Sequence, residues 1–229
     1  MPIWPTRIDT PGSRPPAGPI HRSIVALDIE GSTERTDMVK AELRRALYDF
    51  MDQALKAASI TEEHLEHFTD RGDGVLILIR PHDEVPKTVL LNQLIPELAA
   101  LLAEYNTSLA RPEDRLRVRA VVHAGEVNYD GRGFFGGALD VAFRLLDSPR
   151  LKKALKETAA SPLVLVVSQE IFSGTVCQGH VDREAYKPFV SRRIAGRSHR
   201  GWVHIPILRS SNPGDRPSLL TPAIAVPTS

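Results

Sequence analysis

Two short apolar runs of β-forming residues, each meeting an aspartate at one end, constrain the fold of this chain more than any other feature. Ser23-Ile24-Val25-Ala26-Leu27 runs into Asp28, and Asp73 opens Gly74-Val75-Leu76-Ile77-Leu78-Ile79. Such runs read as buried strands, so both carboxylates fall at a strand mouth. A carboxylate there is costly to desolvate unless a cation pairs with it, and a divalent metal carrying a triphosphate is such a cation. Asp73 by itself, within Arg71-Gly72-Asp73-Gly74, is also ordinary hairpin-turn chemistry.

Beyond Asp28 the chain reads Ile29-Glu30-Gly31-Ser32-Thr33-Glu34-Arg35 and enters a helical pattern near Asp37. A turn of Gly31, Ser32 and Thr33 between strand and helix aims backbone N–H groups at one point and suits phosphate oxygens. No Gly-Lys-Ser/Thr follows, so the P-loop pattern lacks its key residues. An N-cap by Ser32 or Thr33 is the plainer account of the same residues.

The rest of the chain supplies helices and hairpins around these strands. Leu43, Ala46, Leu47, Phe50, Met51 and Leu55 give Val39 to Ala57 an amphipathic helical period, and Pro86 to Tyr105 repeats it with Val89, Leu90, Leu94, Leu98, Leu101 and Leu102. Leu65 to Phe68 and Val75 to Ile79 flank Thr69-Asp70-Arg71-Gly72-Asp73 as a hairpin with Asp73 at its turn. Leu116 to Val121 reads as a strand turned by Gly125 to Gly133, followed by a helix from Gly136 to Leu146. Strands over Leu163 to Val167 and Gly201 to Ile207 bracket a helical turn at Gln169 to Phe172. Two helices laid over one mainly antiparallel sheet make an α+β sandwich, because hairpins replace regular βαβ crossovers.

Composition sets outer limits. The 229 residues suffice for one full core, and the formal net charge of +1 does not suggest a nucleic-acid partner. The single Cys177 excludes an internal disulfide framework and fits a cytoplasmic protein. No apolar stretch reaches the ~20 residues that span a bilayer, so no membrane insertion is expected. Residues 1–21 form a proline-rich flexible arm, 22–208 the folded domain, and 209–229 a Ser/Pro-rich flexible tail.

Phe134-Phe135-Gly136-Gly137-Ala138-Leu139-Asp140-Val141-Ala142-Phe143-Arg144 sets Asp140 and Arg144 four residues apart on one helical face. An exposed ion pair worth a few tenths of a kcal/mol accounts for that spacing. On composition alone that account is favoured; the alternative is presentation of a cation and a hydrogen-bonding group to a reacting phosphate, and the order of motifs along the chain decides between them.

The order of these pieces resembles the class III nucleotidyl cyclases. It runs from Asp28 and the phosphate turn through Gly72-Asp73 and Val121-Val122-His123-Ala124-Gly125-Glu126-Val127 to Phe135-Gly136, Asp140 and Arg144. The resemblance implies a cyclase sandwich working as a head-to-tail homodimer, with the metal aspartates of one subunit facing the Asp140/Arg144 helix of the other. Two Mg²⁺ or Mn²⁺ ions per site would be held by Asp28, Asp73 and the carbonyl of Ile29. Arg144 would stabilise charge on the α-phosphate, while Gly31, Ser32 and Thr33 would hold the β- and γ-phosphates. Arg197 lies where members often carry a triphosphate-binding cation; a solvated basic turn with Arg200 is the alternative.

Departures from the family pattern fall at the base and ribose positions. Thr69 stands where adenylate cyclases carry a base-reading lysine, Gly133 where they carry its aspartate partner, and Asp140 where most members carry a ribose-orienting asparagine. In this the chain is most like the stand-alone bacterial pyrimidine (uridylate/cytidylate) cyclases of Pycsar antiphage defence. That likeness implies a lyase that converts UTP, then CTP, to a 3′,5′-cyclic nucleotide read by a separate effector. Phe134, Phe135 or Phe68 could supply bulk to a pyrimidine pocket, or simply core. An adenylate cyclase with an atypical base pocket and an inactive cyclase-fold binding protein are the alternatives. His123 reads as packed, and Glu62-Glu63-His64-Leu65-Glu66-His67 lacks the order of a zincin, so zinc is not expected there.

Overall fold

Among the described residues eight strands form one mixed sheet in the order β2-β3-β1-β4-β6-β8-β7, with β5 paired to β4 off that path. The strands are β1 Ile20–Ile29, β2 Leu65–Asp70, β3 Gly74–Ile79, β4 Val118–Tyr129, β5 Phe134–Phe135, β6 Leu163–Ser168, β7 Lys187–Ile194 and β8 Arg197–His204. The computed structural model describes residues 18–207 except 110, 112, 113, 159, 160, 195 and 196, and gives backbone alone for 190–194, 197 and 198. The expected arm and tail lie outside the described residues apart from 18–21, where β1 already begins at Ile20. Only the β4–β6 pairing is parallel among the described strands, and the remaining pairings are antiparallel.

Helices cover both faces of the sheet, whereas the sequence reading laid two helices over it. On one face lie α1 (Asp37–Ala57) and a continuous helical run of α2 (Lys87–Val89), a wider π turn at Leu90–Leu94 and α3 (Ile95–Thr107). Leu43, Leu47, Met51 and Leu55 of α1 join Leu94, Leu98 and Leu102 over Val25, Leu27, Val75 and Ile77. On the other face α4 (Gly137–Leu146) and α5 (Pro149–Glu157) bury Leu139, Ala142, Leu145, Leu151 and Leu155 against Ile24, Ala26, Leu76, Leu78 and Val121. Alternate residues of β1 and β3 thus serve two cores, which is why both runs are apolar without a break.

Three expected boundaries move. The strand expected at Leu116 to Val121 runs on through Gly125 to Tyr129, because β1 pairs with it as far as Ile20↔Val127. The turn is confined to Asp130–Gly133, where Asp130 Oδ1 accepts from the amides of Arg132 at 2.8 Å and Gly133 at 2.9 Å. The last strand ends at His204 and starts at Arg197, so Arg197 and Arg200 lie on a strand rather than in a basic turn.

Candidate active site

Antiparallel pairing brings the two aspartates together. Asp28 lies opposite Gly74, and the Ile29 amide donates to the Asp73 carbonyl at 2.8 Å, so the end of β1 abuts the β2–β3 turn. Gly74 permits this approach, since a Cβ there would collide with the Leu27 carbonyl oxygen. Opposite Asp28 on the other side, β4 presents Arg119. Its guanidinium pairs with Asp28 through Oδ2, with side chains 10% and 16% exposed. A largely buried carboxylate next to a second carboxylate-bearing turn offers the oxygen ligands that a divalent cation takes, with Arg119 as its partner meanwhile.

The turn after Asp28 is built on a left-handed residue. Gly31 sits at φ 68°, and Ser32–Glu34 form one 3₁₀ turn. The first amides of such a turn have no partner within it. Neither Ser32 nor Thr33 caps α1; that cap is Thr36, whose side chain accepts from the Val39 amide at 3.5 Å. The Glu30 amide donates to the Arg117 carbonyl at 2.8 Å and Arg35 Nη2 to the Arg115 carbonyl at 3.0 Å, which anchors the turn on the segment entering β4.

Helix α1 also reaches the turn that carries Asp73. Arg44 pairs with Asp70 through both nitrogens, and Asp70 Oδ1 accepts from the Gly72 amide at 2.7 Å, tightening the turn that carries Asp73. The Arg44 hydrogen bond, then the Gly72 amide and Tyr48, hold the Asp70 carboxyl below its ordinary range against the opposing effect of burial. Tyr48 beside them is pushed up to about 12, first by burial and then by Asp70.

On α4, Asp140 and Arg144 are both exposed, while Leu139, Val141, Ala142 and Leu145 face inward. Among the described residues no ion pair joins the two, so the surface-pair account of their spacing does not hold. Asp140 instead lines a cavity of about 560 Å³ with His123, Glu126, Glu170 and His199. His123 is buried as expected, 2.7 Å from Ser168 Oγ and 3.4 Å from a Glu170 carboxylate oxygen. The hydrogen bond from His123 holds the Glu170 carboxyl down at about 2.

The expected base-binding residues form one cluster through a residue not assigned to it. Thr69 Oγ1 bonds His67 Nε2, the His67 ring lies 5.2 Å from Phe134, and Phe134 lies 4.8 Å from Tyr129. Gly133 is next to Phe134, in the turn held by Asp130. Phe68 points the other way and packs on Tyr48 at 5.8 Å, and Phe135 is exposed. Arg197 begins β8, with its backbone opposite Ile194.

Arg119, Arg44, His67 and Glu170 thus surround the expected residues without having been read from the sequence. Arg115, Arg117 and Arg119 alternate with Leu116, Val118 and Ala120 in the sequence, and which of the three faces Asp28 depends on register.

This sheet order, with helices on both faces and the aspartates at adjoining strand ends, is the class III nucleotidyl cyclase catalytic-domain fold. Sequence comparison matches the chain to no family model and to no curated protein. Solved structures do match. An adenylate/guanylate cyclase/hydrolase from Silicibacter pomeroyi is similar with a TM-score of 0.60 and 19% identity, over 83% of this chain and 99% of that one. The catalytic core of a rhodopsin-guanylyl cyclase with converted specificity, in complex with ATPαS, gives a TM-score of 0.53 at 12% identity, covering 82% and 96%. The adenylyl cyclase CyaB from P. aeruginosa gives 0.51 at 13% identity, covering 82% and 95%. Among the described residues no helix is long and apolar enough to cross a membrane.

Proposed function

We propose that this protein is a nucleotidyl cyclase that converts a nucleoside triphosphate to a 3′,5′-cyclic nucleotide and pyrophosphate. The observation carrying this reading is the β1–β3 register, which sets Asp28 beside the Asp73 turn, next to the Gly31–Thr33 turn, on a cyclase-type fold. In the reaction the ribose 3′-oxygen forms a bond to the α-phosphorus, the bond from that phosphorus to the pyrophosphate oxygen breaks, and the hydroxyl proton is released to solvent. Two divalent cations, Mg²⁺ or Mn²⁺, held by Asp28, Asp73 and the Ile29 carbonyl, would acidify the hydroxyl and neutralise the triphosphate. Gly31, Ser32 and Thr33 contribute backbone amides to the β- and γ-phosphates, with Arg197 as an added cation. Arg144 offsets charge on the non-bridging oxygens of the α-phosphate, and Asp140 accepts a hydrogen bond from the ribose.

Both α4 residues project into solvent with no ion-pair partner among the described residues, which supports a site completed by a second copy of the chain. The finer reading is a pyrimidine substrate, UTP before CTP, in antiviral signalling through a separate effector. The ring cluster of His67, Phe134 and Tyr129 beside Thr69 supports it by filling space that a purine needs. The contact of Arg119 with Asp28 favours a second reading, a nucleotide-binding protein without turnover, because that carboxylate already has a cation.

Incubating the protein separately with ATP, GTP, CTP and UTP in Mn²⁺ and measuring pyrophosphate and cyclic product tests all of this. UTP or CTP alone giving product is the expected result. Product from ATP alone would reject the pyrimidine reading, and none from any of the four would leave the binding reading.

A further inference from the structure

We propose a transition-metal site at the open end of the β2–β3 hairpin, opposite to the turn that carries Asp73, formed by His64, His82 and Glu84. Ligand atoms of these three side chains lie within 4.8 Å of one another. His64 precedes β2 and is 1% exposed, whereas His82 and Glu84 belong to the exposed loop that leaves β3. The loop is fastened there by the Arg80 amide, which donates to the His64 carbonyl at 2.8 Å.

The buried nitrogen carries the argument. His64 Nε2 is enclosed, has no hydrogen-bond partner, and faces a Glu84 carboxylate oxygen 3.7 Å away, beyond bonding range. Leaving a buried polar nitrogen unpaired is unfavourable, and a cation between Nε2 and the carboxylate removes the deficit. The His82 ring stands 4.7 Å from the His64 ring at 68°, so it closes the third side. A 3.3 Å bond from the Glu84 amide to His82 Nδ1 holds that ring over the loop and gives way to the metal if Nδ1 is the ligand.

Support behind the first ligand is already in place. A metal on Nε2 requires the hydrogen of His64 on Nδ1, and Thr61 Oγ1 lies 3.1 Å from Nδ1 to accept it. That hydroxyl in turn donates to Glu63 Oε1 at 3.1 Å, so a carboxylate, a hydroxyl and an imidazole are strung in line behind the site. Without metal, Nδ1 instead accepts from the Thr61 amide at 3.1 Å, and binding exchanges one of these bonds for the other. Two imidazoles and one carboxylate with an open fourth position suit zinc or a similar borderline cation, while magnesium prefers oxygen donors alone.

The site is independent of the proposed cyclase chemistry, and calorimetry on the tag-free full chain tests it. Zn²⁺ is titrated with excess Mg²⁺ present, against the parent, His82→Ala, Glu84→Gln and Asp73→Ala proteins. His82 and Glu84 are exposed, so their variants keep the fold; His64 is left intact because it caps the turn before β2. One zinc per chain is expected, weakened by His82→Ala at least by the ~10–100-fold that losing an outer-shell partner costs, weakened measurably by Glu84→Gln, and unchanged in Asp73→Ala. Absence of zinc binding by the parent, or binding unaffected by His82→Ala, overturns the proposal. Loss of binding in Asp73→Ala overturns it too, since the zinc would then occupy the aspartate pair.

Discussion

Asp28 has two neighbours set by strand pairing, Gly74 on β3 and Arg119 on β4, and the second defines its electrostatics in the absence of metal. Both members of the Asp28–Arg119 pair are largely buried, so removing one leaves the other uncompensated. Arg119→Ala is expected to cost about 3–5 kcal/mol in metal-free buffer, with Mn²⁺ restoring more stability to the variant than it adds to the parent. Equal manganese shifts in thermal unfolding would separate Arg119 from the metal side. Glu170 gives a second, pH-dependent case. Its carboxyl is held at about 2, chiefly by His123, against an ordinary value of 4.5. The folded pKa is the lower one, so the associated stability is present above the ordinary value and is lost as pH falls towards the folded one. Urea unfolding of Glu170→Gln should therefore lose less stability between pH 4.5 and about 2 than the parent; parallel losses would mean that the His123 contact is not maintained in solution. Asp28 and Asp73 were legible as residues because each interrupts an apolar strand pattern. Arg119 and Glu170 were not, because their partners are 91 and 47 positions away and such pairings arise from register and packing alone.

At the scale of elements, the hairpin and the long helices were written locally and the edges were not. The period of Leu43, Leu47, Met51 and Leu55 matches the buried face of α1, and Gly-Asp-Gly marks the β2–β3 turn. By contrast β7 and the start of β8 carry Lys187, Arg192, Arg193, Arg197 and Arg200 in place of apolar alternation, and only the end of β8, from Gly201, reads as a strand. A charged outer hairpin of this kind protects a sheet edge from pairing with other chains, and it leaves little strand signal in the sequence. Helix α5 escaped for another reason: only Leu151 and Leu155 of its nine residues are fully buried, too few to stand out as a period. The hairpin offers the sharpest test at this scale. Any side chain at Gly74 must push β3 away from the Leu27 carbonyl, at the Asp28 end of a pairing that extends from Ser23 to Asp28. Gly74→Ala should cost at least about 1–3 kcal/mol and displace the Asp73 turn, seen as a lower unfolding midpoint together with weaker Mn²⁺ stabilisation. Full stability in that variant would mean that the two strands do not approach as described.

At the scale of the molecule, the halves of the proposed site lie on different parts of one chain. Asp28 and Asp73 occupy adjoining strand ends, while Asp140 and Arg144 stand on the exposed side of α4, and no described hydrogen bond or ion pair links the two sets. A two-fold pairing of chains resolves this by making two equivalent sites, each taking its carboxylates from one copy and its arginine from the other. Loss of a metal carboxylate and loss of Arg144 should then complement each other. Asp73→Ala and Arg144→Ala proteins are each expected to lose most cyclase activity, by about 10²-fold or more for the arginine. After the two are unfolded, mixed in equal amounts and refolded, half of the pairs combine one chain of each kind. In such a pair one site has both defects and the other has none, so about a quarter of the parent activity should return. Recovery of that size requires both an active cyclase and a shared site. If the parent is active and the mixture stays as inactive as its components, each site lies within one chain, and Arg144 must then reach Asp28 and Asp73 by a rearrangement of α4 over the sheet.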